Sequence, residues 1–174
     1  GDVRLARAIL ERGAAKAPAS ELFRWMAILG RHDRELLDRA AEAAPHDAFT
    51  RFDRGNQRQI EGDFAGAEVD FTRAVEMIPD LALLRFALGD VRIRRRNFAG
   101  ALDELSRGLG LDPSNAEGWH SRGIANRDLG IVARAEEDFT AAIRREGRSE
   151  FYASRGLARE ILKRFDEALA DYAL

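Results

Sequence analysis

Residues 119–139 have the sequence WHSRGIANRDLGIVARAEEDF, and the order of large and small side chains in it predicts the fold. Trp119 is followed by Gly123, and after a short turn Ala135 is followed by Phe139. Small side chains at these offsets let one amphipathic helix turn back and lie close to the next, while the large side chains fill the seam between them. This stretch therefore predicts an antiparallel pair of helices.

The same pattern recurs along the chain with a period of 34 residues, shortened by one residue before the last copy. The glycine column contains Gly55, Gly89, Gly123 and Gly156. The alanine column contains Ala67, Ala101, Ala135 and Ala168, and the large residue four positions later is Phe71, Leu105, Phe139 or Tyr172. Repeats of this length are typical of stacked helix pairs, because one pair cannot bury its apolar face alone.

These offsets resemble the tetratricopeptide repeat (TPR) family, which carries Trp, Leu-Gly, Tyr, Ala, Phe and Pro at the corresponding positions. The resemblance implies an all-α fold, a right-handed superhelical solenoid of antiparallel helix pairs. It assigns degenerate helices to residues 1–45, repeats to 46–80, 81–114 and 115–148, and a truncated last repeat to 149–174. We expect all of them to form one continuous solenoid domain.

The chain departs from the family pattern by placing arginine where the first helix of a repeat normally carries large or apolar residues. These arginines are Arg51, Arg54, Arg58, Arg85, Arg92, Arg122, Arg155 and Arg159. A guanidinium is rarely buried without a partner, and an acidic residue precedes the large residue of each second helix. We therefore predict ion pairs between the two helices of a repeat, namely Arg54–Asp70, Arg122–Asp138 and Arg155–Asp171. The alternative is that each arginine extends into solvent.

By resemblance to peptide-binding members of the family, the first helices line a binding groove. The candidate positions in successive repeats are Phe49, Phe52, Asn56, Gln59 and Ile60; Leu83, Phe86, Asp90, Ile93 and Arg94; Glu117, His120, Ile124, Arg127 and Asp128; and Glu150, Ala153, Leu157, Glu160 and Ile161. Phe52 and Phe86 occupy equivalent positions, which suggests two neighbouring aromatic anchors, with the Asn56 amide holding a bound backbone. The alternative is that both rings are covered by other helices.

One TPR subfamily grips a C-terminal carboxylate with lysine, arginine and asparagine residues from three repeats. Only Asn56 matches that set in this chain. The other positions are occupied by Phe52, Ala87, Glu117 and Ser121. Recognition of a chaperone tail is therefore not expected.

Composition favours a protein partner over nucleic acid or membrane. Charged residues of both signs make up 33% of the chain, and the net charge is −2. We interpret the basic run Arg92, Arg94, Arg95 and Arg96 as a solvated helix end, since acidic residues lie near it in the sequence. Only two of the 28 basic residues are lysine, which reflects a bacterial-like genome composition or a preference for planar cations. The default compartment is the cytoplasm, and the periplasm stays open.

No constellation of residues predicts chemistry. The chain has no cysteine, which excludes disulfides and thiolate metal sites. His32 and His46 each precede an aspartate but fall in predicted turns without further ligands. Gly108 and Gly110 lie in a predicted helix with no strand before it, so they do not form a dinucleotide-binding loop, and Gly108 is better explained by close helix packing. We expect no catalysis, no metal and no cofactor.

Two functions remain open. The first is a non-catalytic protein–protein interaction scaffold that binds a peptide or partner helix in its groove. The alternative is a structural or oligomerisation arm of a larger, even enzymatic, protein, whose terminal repeats stack on another chain. The second hypothesis rests on the ends of the sequence, where we expect a first helix without a preceding partner and a shortened last helix.

Overall fold

The computed structural model describes residues 34–174, and all helices and turns below belong to that range. Its helices are α1 (Arg34–Ala43), α2 (Ala48–Ile60), α3 (Phe64–Met77), α4 (Ala82–Arg94), α5 (Phe98–Leu111), α6 (Ala116–Asp128), α7 (Val132–Arg145), α8 (Ser149–Ile161) and α9 (Phe165–Tyr172). No strand is found among these residues. The helices that the sequence predicts before residue 34, together with His32, lie outside the described part.

The chain divides into two compact units, Gly1–Ile78 and Pro79–Leu174, which we call the N-terminal unit and the C-terminal unit. The described part of the N-terminal unit holds α1, α2 and α3. The C-terminal unit holds three consecutive antiparallel pairs, α4–α5, α6–α7 and α8–α9. The prediction of a single continuous solenoid remains a prediction.

The turn inside each helix pair requires a residue with positive φ. Gly62 and Gly130 meet this requirement with φ of 82° and 80°, and Arg96 and Lys163 adopt 60° and 63° at the equivalent positions. Glycine enters this region without steric cost, whereas other L-residues rarely do. The tight connection is thus kept in all four pairs, including the two in which the sequence lacks glycine.

The glycine column lies where two helices of a pair approach most closely. A β-carbon at Gly123 would come within 2.5 Å of the Phe139 ring, and one at Gly55 within 2.6 Å of the Phe71 ring. Phe71 and Phe139 are fully buried, as is Ala135 one turn before Phe139. The packing of small against large residues, on which the sequence-based register depends, is confirmed.

Each helix pair also closes over one buried carboxylate, which we call the seam carboxylate. The seam carboxylates are Asp70 in α3, Glu104 in α5, Asp138 in α7 and Asp171 in α9. The three predicted ion pairs are confirmed, and in each a guanidinium nitrogen lies 2.6 Å from a carboxylate oxygen; they are Arg54–Asp70, Arg122–Asp138 and Arg155–Asp171. Extension of these arginines into solvent, the alternative, is wrong.

A second donor reaches each seam carboxylate from further along the first helix. These donors are Arg58 at 2.7 Å, Arg92 at 3.1 Å, Asn126 at 2.8 Å and Arg159 at 2.8 Å. A buried carboxylate loses its hydration, so several strong donors are needed to satisfy its oxygens. The arginines that depart from the family pattern are therefore interior ligands of the seam.

In the pair α4–α5 both the seam carboxylate and its first arginine differ from those of the other pairs. Leu88 occupies the position of the first arginine, and the guanidinium comes instead from Arg85, whose Nη1 lies 2.9 Å from Oε2 of Glu104. Arg85 is itself buried, and its Nε donates to the carbonyl of Pro79 at 2.8 Å. A glutamate is one methylene longer than an aspartate, which suits a donor placed on a different turn.

Trp119 packs in the same region of α6–α7. The guanidinium groups of Arg122 and Arg145 lie 4.5 Å and 4.7 Å from its ring centre, and the indole N–H donates to the carbonyl of Pro113 at 2.9 Å. Cation–π contacts of this kind favour a planar guanidinium over an ammonium. Arg122 thus connects the tryptophan to the seam carboxylate Asp138.

Removal of a seam carboxylate should be costly. Asp138→Ala leaves the Arg122 charge and the Asn126 amide in the seam without their acceptor, and we expect the free energy of unfolding to fall by about 3–5 kcal/mol. Asp103→Ala is the matched control, because its partner Arg107 is a surface residue of the same helix, and we expect a loss of at most about 1 kcal/mol. Urea unfolding of both variants measures the difference. Similar small losses would contradict a structural role for the buried carboxylate.

Candidate functional surface

The first helices of the C-terminal unit, α4, α6 and α8, are neighbours. Two side-chain hydrogen bonds cross between them. Asp90 of α4 bonds to Ser121 of α6, and Nε2 of His120 on α6 lies 2.9 Å from Oγ of Ser154 on α8. The side of these helices that carries the two bonds is the candidate surface, which we call the first-helix face.

Apolar and acidic side chains share the first-helix face. Leu83 on α4 is 49% exposed, and Leu157 and Ile161 on α8 are 40% and 51% exposed. Asp90, Glu117 and Glu150 are exposed as well. Ile124, between them on α6, is half-buried and packs against the core of α7 and α8. The face therefore offers both apolar contact area and negative charge.

Asp90 has an unusual environment for a surface carboxylate. Desolvation by the surrounding protein raises its pKa to about 6, although the side chain keeps access to solvent. The hydrogen bond with Ser121 and the charge of Arg94 lower the pKa, whereas the charge of Glu117 raises it. The carboxylate is thus ionised at neutral pH at a cost in free energy.

The acidic residues near α8 share one cation. Arg148 forms ion pairs with Glu117 of α6 and Glu150 of α8, and its Nη1 lies 3.6 Å from Oε2 of Glu146. All four side chains are partly or largely exposed. One guanidinium serves three carboxylates, so negative charge remains in excess at this end of the face.

His120 is held by packing on both sides. Its ring centre lies 4.7 Å from that of Phe151 and 5.5 Å from that of Phe139. Burial lowers the pKa of His120, and the charge of Glu117 opposes that shift. The imidazole is therefore neutral at neutral pH, and it joins α6 to α8 through Ser154.

Phe86 does not lie on the surface, which corrects the expectation that it forms an aromatic anchor. Phe86 is only 8% exposed, and its ring lies between Gly108 of α5 and Gly118 of α6. A β-carbon at either glycine would come within 2.7 Å of the ring. The predicted close packing at Gly108 is confirmed, and the side chain that packs against this glycine is that of Phe86.

A sequence signal for this burial exists but is easy to miss. Gly118 occupies the column in which the next repeat carries Phe151, and Phe86 occupies the column of His120. A large ring thus faces a glycine in one repeat, and a smaller ring faces a phenylalanine in the next. The sizes at the two columns compensate across neighbouring repeats, as close packing requires.

The remaining candidates of the C-terminal unit differ in their availability. Ile93 is half-buried and packs against the core of α5 and α6. Arg94 is exposed at the end of α4. Arg127 pairs with its neighbour Asp128 at 2.9 Å, so that pair adds little net charge to the face.

The candidates of the N-terminal unit lie on α2. Phe49 is 49% exposed, and Ile60 is exposed as well. Phe52, Asn56 and Gln59 are half-buried, and the ring of Phe52 packs against Phe71 with 5.8 Å between ring centres. Phe52 therefore has a structural contact in addition to its free edge, and Phe49 is the more accessible aromatic residue.

Residues 34–174 show neither a metal centre nor a membrane span. In this range no group of three or more His, Cys, Asp or Glu side chains is arranged to hold a metal ion. None of the helices described above is both long enough and apolar enough to cross a membrane.

Comparison with known proteins gives structural matches but no sequence match. No protein-family model and no curated protein matches the chain. YrrB, described as a TPR protein with an unusual peptide-binding site, has a TM-score of 0.78 at 18% identity, over 95% of this chain and 88% of that chain. MamA from Desulfovibrio magneticus RS-1 has a TM-score of 0.76 at 17% identity, over 99% and 93%. The fold is a TPR fold.

A third TPR structure matches a shorter stretch. The first TPR domain of Spaghetti (RPAP3), solved with a bound HSP90 peptide, has a TM-score of 0.60 at 21% identity, over 71% of this chain and 93% of that chain. At sequence identities this low, the structural similarity shows only that the fold is shared.

The unusual state of Asp90 gives a pH-dependent prediction. Its folded-state pKa of about 6 lies above the ordinary value of 3.8, so the folded protein binds more protons than the unfolded chain between these values, and stability falls as pH rises through them. Asp90→Asn should therefore raise the free energy of unfolding at pH 7.5, by about 1 kcal/mol after allowance for solvent screening. Most of the gain should vanish at pH 4. Urea unfolding at both pH values measures it, and a gain independent of pH would contradict desolvation of the ionised carboxylate as its cause.

Proposed function

We propose that this chain is a non-catalytic protein-interaction module and that the first-helix face of the C-terminal unit binds a peptide or a partner helix. One observation carries the proposal. Leu83 on α4 and Leu157 and Ile161 on α8 stay accessible, while both helices are packed into their pairs. Accessible apolar side chains beside polar ones are typical of protein-binding surfaces.

The structural neighbours support this assignment without deciding it. Two of them bind peptides according to their descriptions, YrrB at a peptide-binding site and the RPAP3 domain with an HSP90 peptide. In a TPR fold the first helices of successive repeats form a shared surface, and the face described above is such a surface. A scaffold role also needs no catalytic residues, and we propose none.

Binding of an acidic chaperone tail is not part of the proposal. The HSP90 peptide in the RPAP3 complex contains two consecutive glutamates and ends in aspartate. On the first-helix face, Glu117 and Asp90 would repel such a peptide. The mode of recognition must therefore differ from the one in that complex.

The N-terminal unit adds candidates of its own. We propose Phe49 as an apolar contact of α2, with Asn56 and Gln59 as polar contacts, because their side chains are exposed or half-buried on one side of the helix. Phe52 is a weaker candidate, since part of its ring packs against Phe71.

The proposal is tested with peptides selected from a random twelve-residue phage library on the whole chain. Leu157→Asp places a charge in the first-helix face, and we expect it to weaken binding of the selected peptides at least tenfold. Leu111→Asp is the matched control, because Leu111 is 43% exposed against 40% for Leu157 but lies at the end of a second helix. Equal affinities of the two variants would show that the face is not the binding surface.

One observation favours the second function, an arm that stacks on another chain. Tyr172 is 48% exposed, whereas Leu105 and Phe139 at the equivalent positions are fully buried, and Leu169 on the same helix is 67% exposed. If the exposed side of α9 with Leu169 and Tyr172 mediates self-association, sedimentation velocity should show a mass that rises with protein concentration. Leu169→Glu should abolish that rise. A concentration-independent monomer would exclude association of the chain with itself.

A further inference from the structure

The first-helix face carries more negative charge than its own cations neutralise. Asp90, Glu117 and Glu150 lie on α4, α6 and the start of α8, and Glu146, at the end of α7, shares Arg148 with Glu117 and Glu150. The guanidinium groups near them are Arg148, which is shared by three of the carboxylates, and Arg94, which acts on Asp90 through its charge. Arg127 is paired with Asp128, so Arg148 and Arg94 are left for three carboxylates on the face and for Glu146 beside it. The surface around the exposed leucines is therefore net negative.

The distribution of cations explains this excess. Three arginines of the first helices, Arg85, Arg122 and Arg155, bind the buried carboxylates in the seams. A guanidinium held at 2.6–2.9 Å by a seam carboxylate is not available to the first-helix face. The chain as a whole is nearly neutral, but three arginines of its first helices are committed to the seams.

The net negative charge of the face has a free-energy cost at Asp90, whose ionised form is disfavoured. An asparagine could accept the same hydrogen bond from Ser121 without a charge to desolvate. The protein instead keeps a carboxylate whose ionised form is disfavoured by its surroundings and by Glu117. A cation supplied from outside would remove that penalty, because it would neutralise both carboxylates at once. Residues that lower stability and serve binding are common at functional surfaces.

The positions of the apolar residues indicate where a partner would place its own apolar and charged side chains. Asp90, Ile124 and Leu157 occupy the same column on three neighbouring helices, so an acidic contact at α4 is followed by apolar contacts at α6 and α8. Leu83 lies seven residues before Asp90, two helical turns or about 10 Å along the same face. A segment that crosses the helices from α4 to α8 therefore meets negative charge first and apolar surface after it.

We infer that the first-helix face of the C-terminal unit binds a basic segment of another protein, with a lysine or arginine side chain between Asp90 and Glu117 and an apolar side chain against Leu157. This inference rests on the proposed function and adds the chemistry of the partner. Charge complementarity selects this occupant, since the acidic face disfavours phosphate groups and acidic tails.

The test uses the peptides selected from the random twelve-residue library on the whole chain. We expect the peptides that depend on Leu157 to carry a net positive charge, and their affinity to fall at least tenfold in the double variant Asp90→Asn, Glu117→Gln. The double variant Asp103→Asn, Glu137→Gln is the charge-matched control, because both residues are exposed on second helices, α5 and α7, and it should leave binding unchanged. Asp90→Asn is expected to be more stable than the parent chain, so unfolding would not explain a loss of binding.

A pH titration of the same peptides gives a second measurement. Asp90 faces Arg94 of its own helix and Ser121 and Glu117 of α6, and it is mostly protonated at pH 5. A basic peptide should therefore bind about tenfold more tightly at pH 7.5 than at pH 5, with release of a proton near pH 6. Protonation of His120 could add to this dependence, so the single variant Asp90→Asn is measured beside it and should remove most of the effect.

The outcomes separate the inference from the proposed function. Neutral or acidic peptides that depend on Leu157 would overturn the basic partner and leave the binding surface intact. Basic peptides that bind the double variant as well as the parent chain would also overturn the role of Asp90 and Glu117. If no selected peptide depends on Leu157, both the inference and the proposed surface are wrong.

Discussion

The buried ion pair between the two helices of a repeat is the interaction on which the rest of this structure depends. A carboxylate without solvent would prevent the helices from closing, and the first helix supplies two donors to each one. In the pair α4–α5 the acid is a glutamate and the first arginine stands at a different position of the helix. The carboxylate of Glu104 still has two partners, Arg85 and Arg92. The constraint is therefore on satisfaction of the seam carboxylate and not on any single residue type.

This constraint also shapes the surface. Because the seams take up Arg85, Arg122 and Arg155, fewer cations remain to neutralise the carboxylates on the other side of the first helices. On α6, for example, Arg122 binds a seam carboxylate while Glu117 is exposed. The binding chemistry that we infer for the first-helix face is a consequence of how the interior is neutralised.

The sequence was sufficient for the features that repeat. The columns of Gly123, Ala135 and Phe139 recur in every copy, and the spacing between Arg122 and Asp138 recurs in three, so both the helix pairs and their ion pairs were predictable. The burial of Phe86 was not predicted, because it depends on the absence of side chains at Gly108 and Gly118 on two other helices. The state of Asp90 depends on desolvation by several helices together, which no local pattern encodes.

The most direct test of the central claim is the hydrogen exchange of arginine Nε–H groups, followed by NMR on the folded chain at neutral pH. We predict slow exchange for Arg54, Arg122 and Arg155, whose Nε atoms donate to seam carboxylates. Arg73, which is 63% exposed, provides the rate of a solvated guanidinium in the same sample. Exchange of all three seam arginines at the rate of Arg73 would contradict the account.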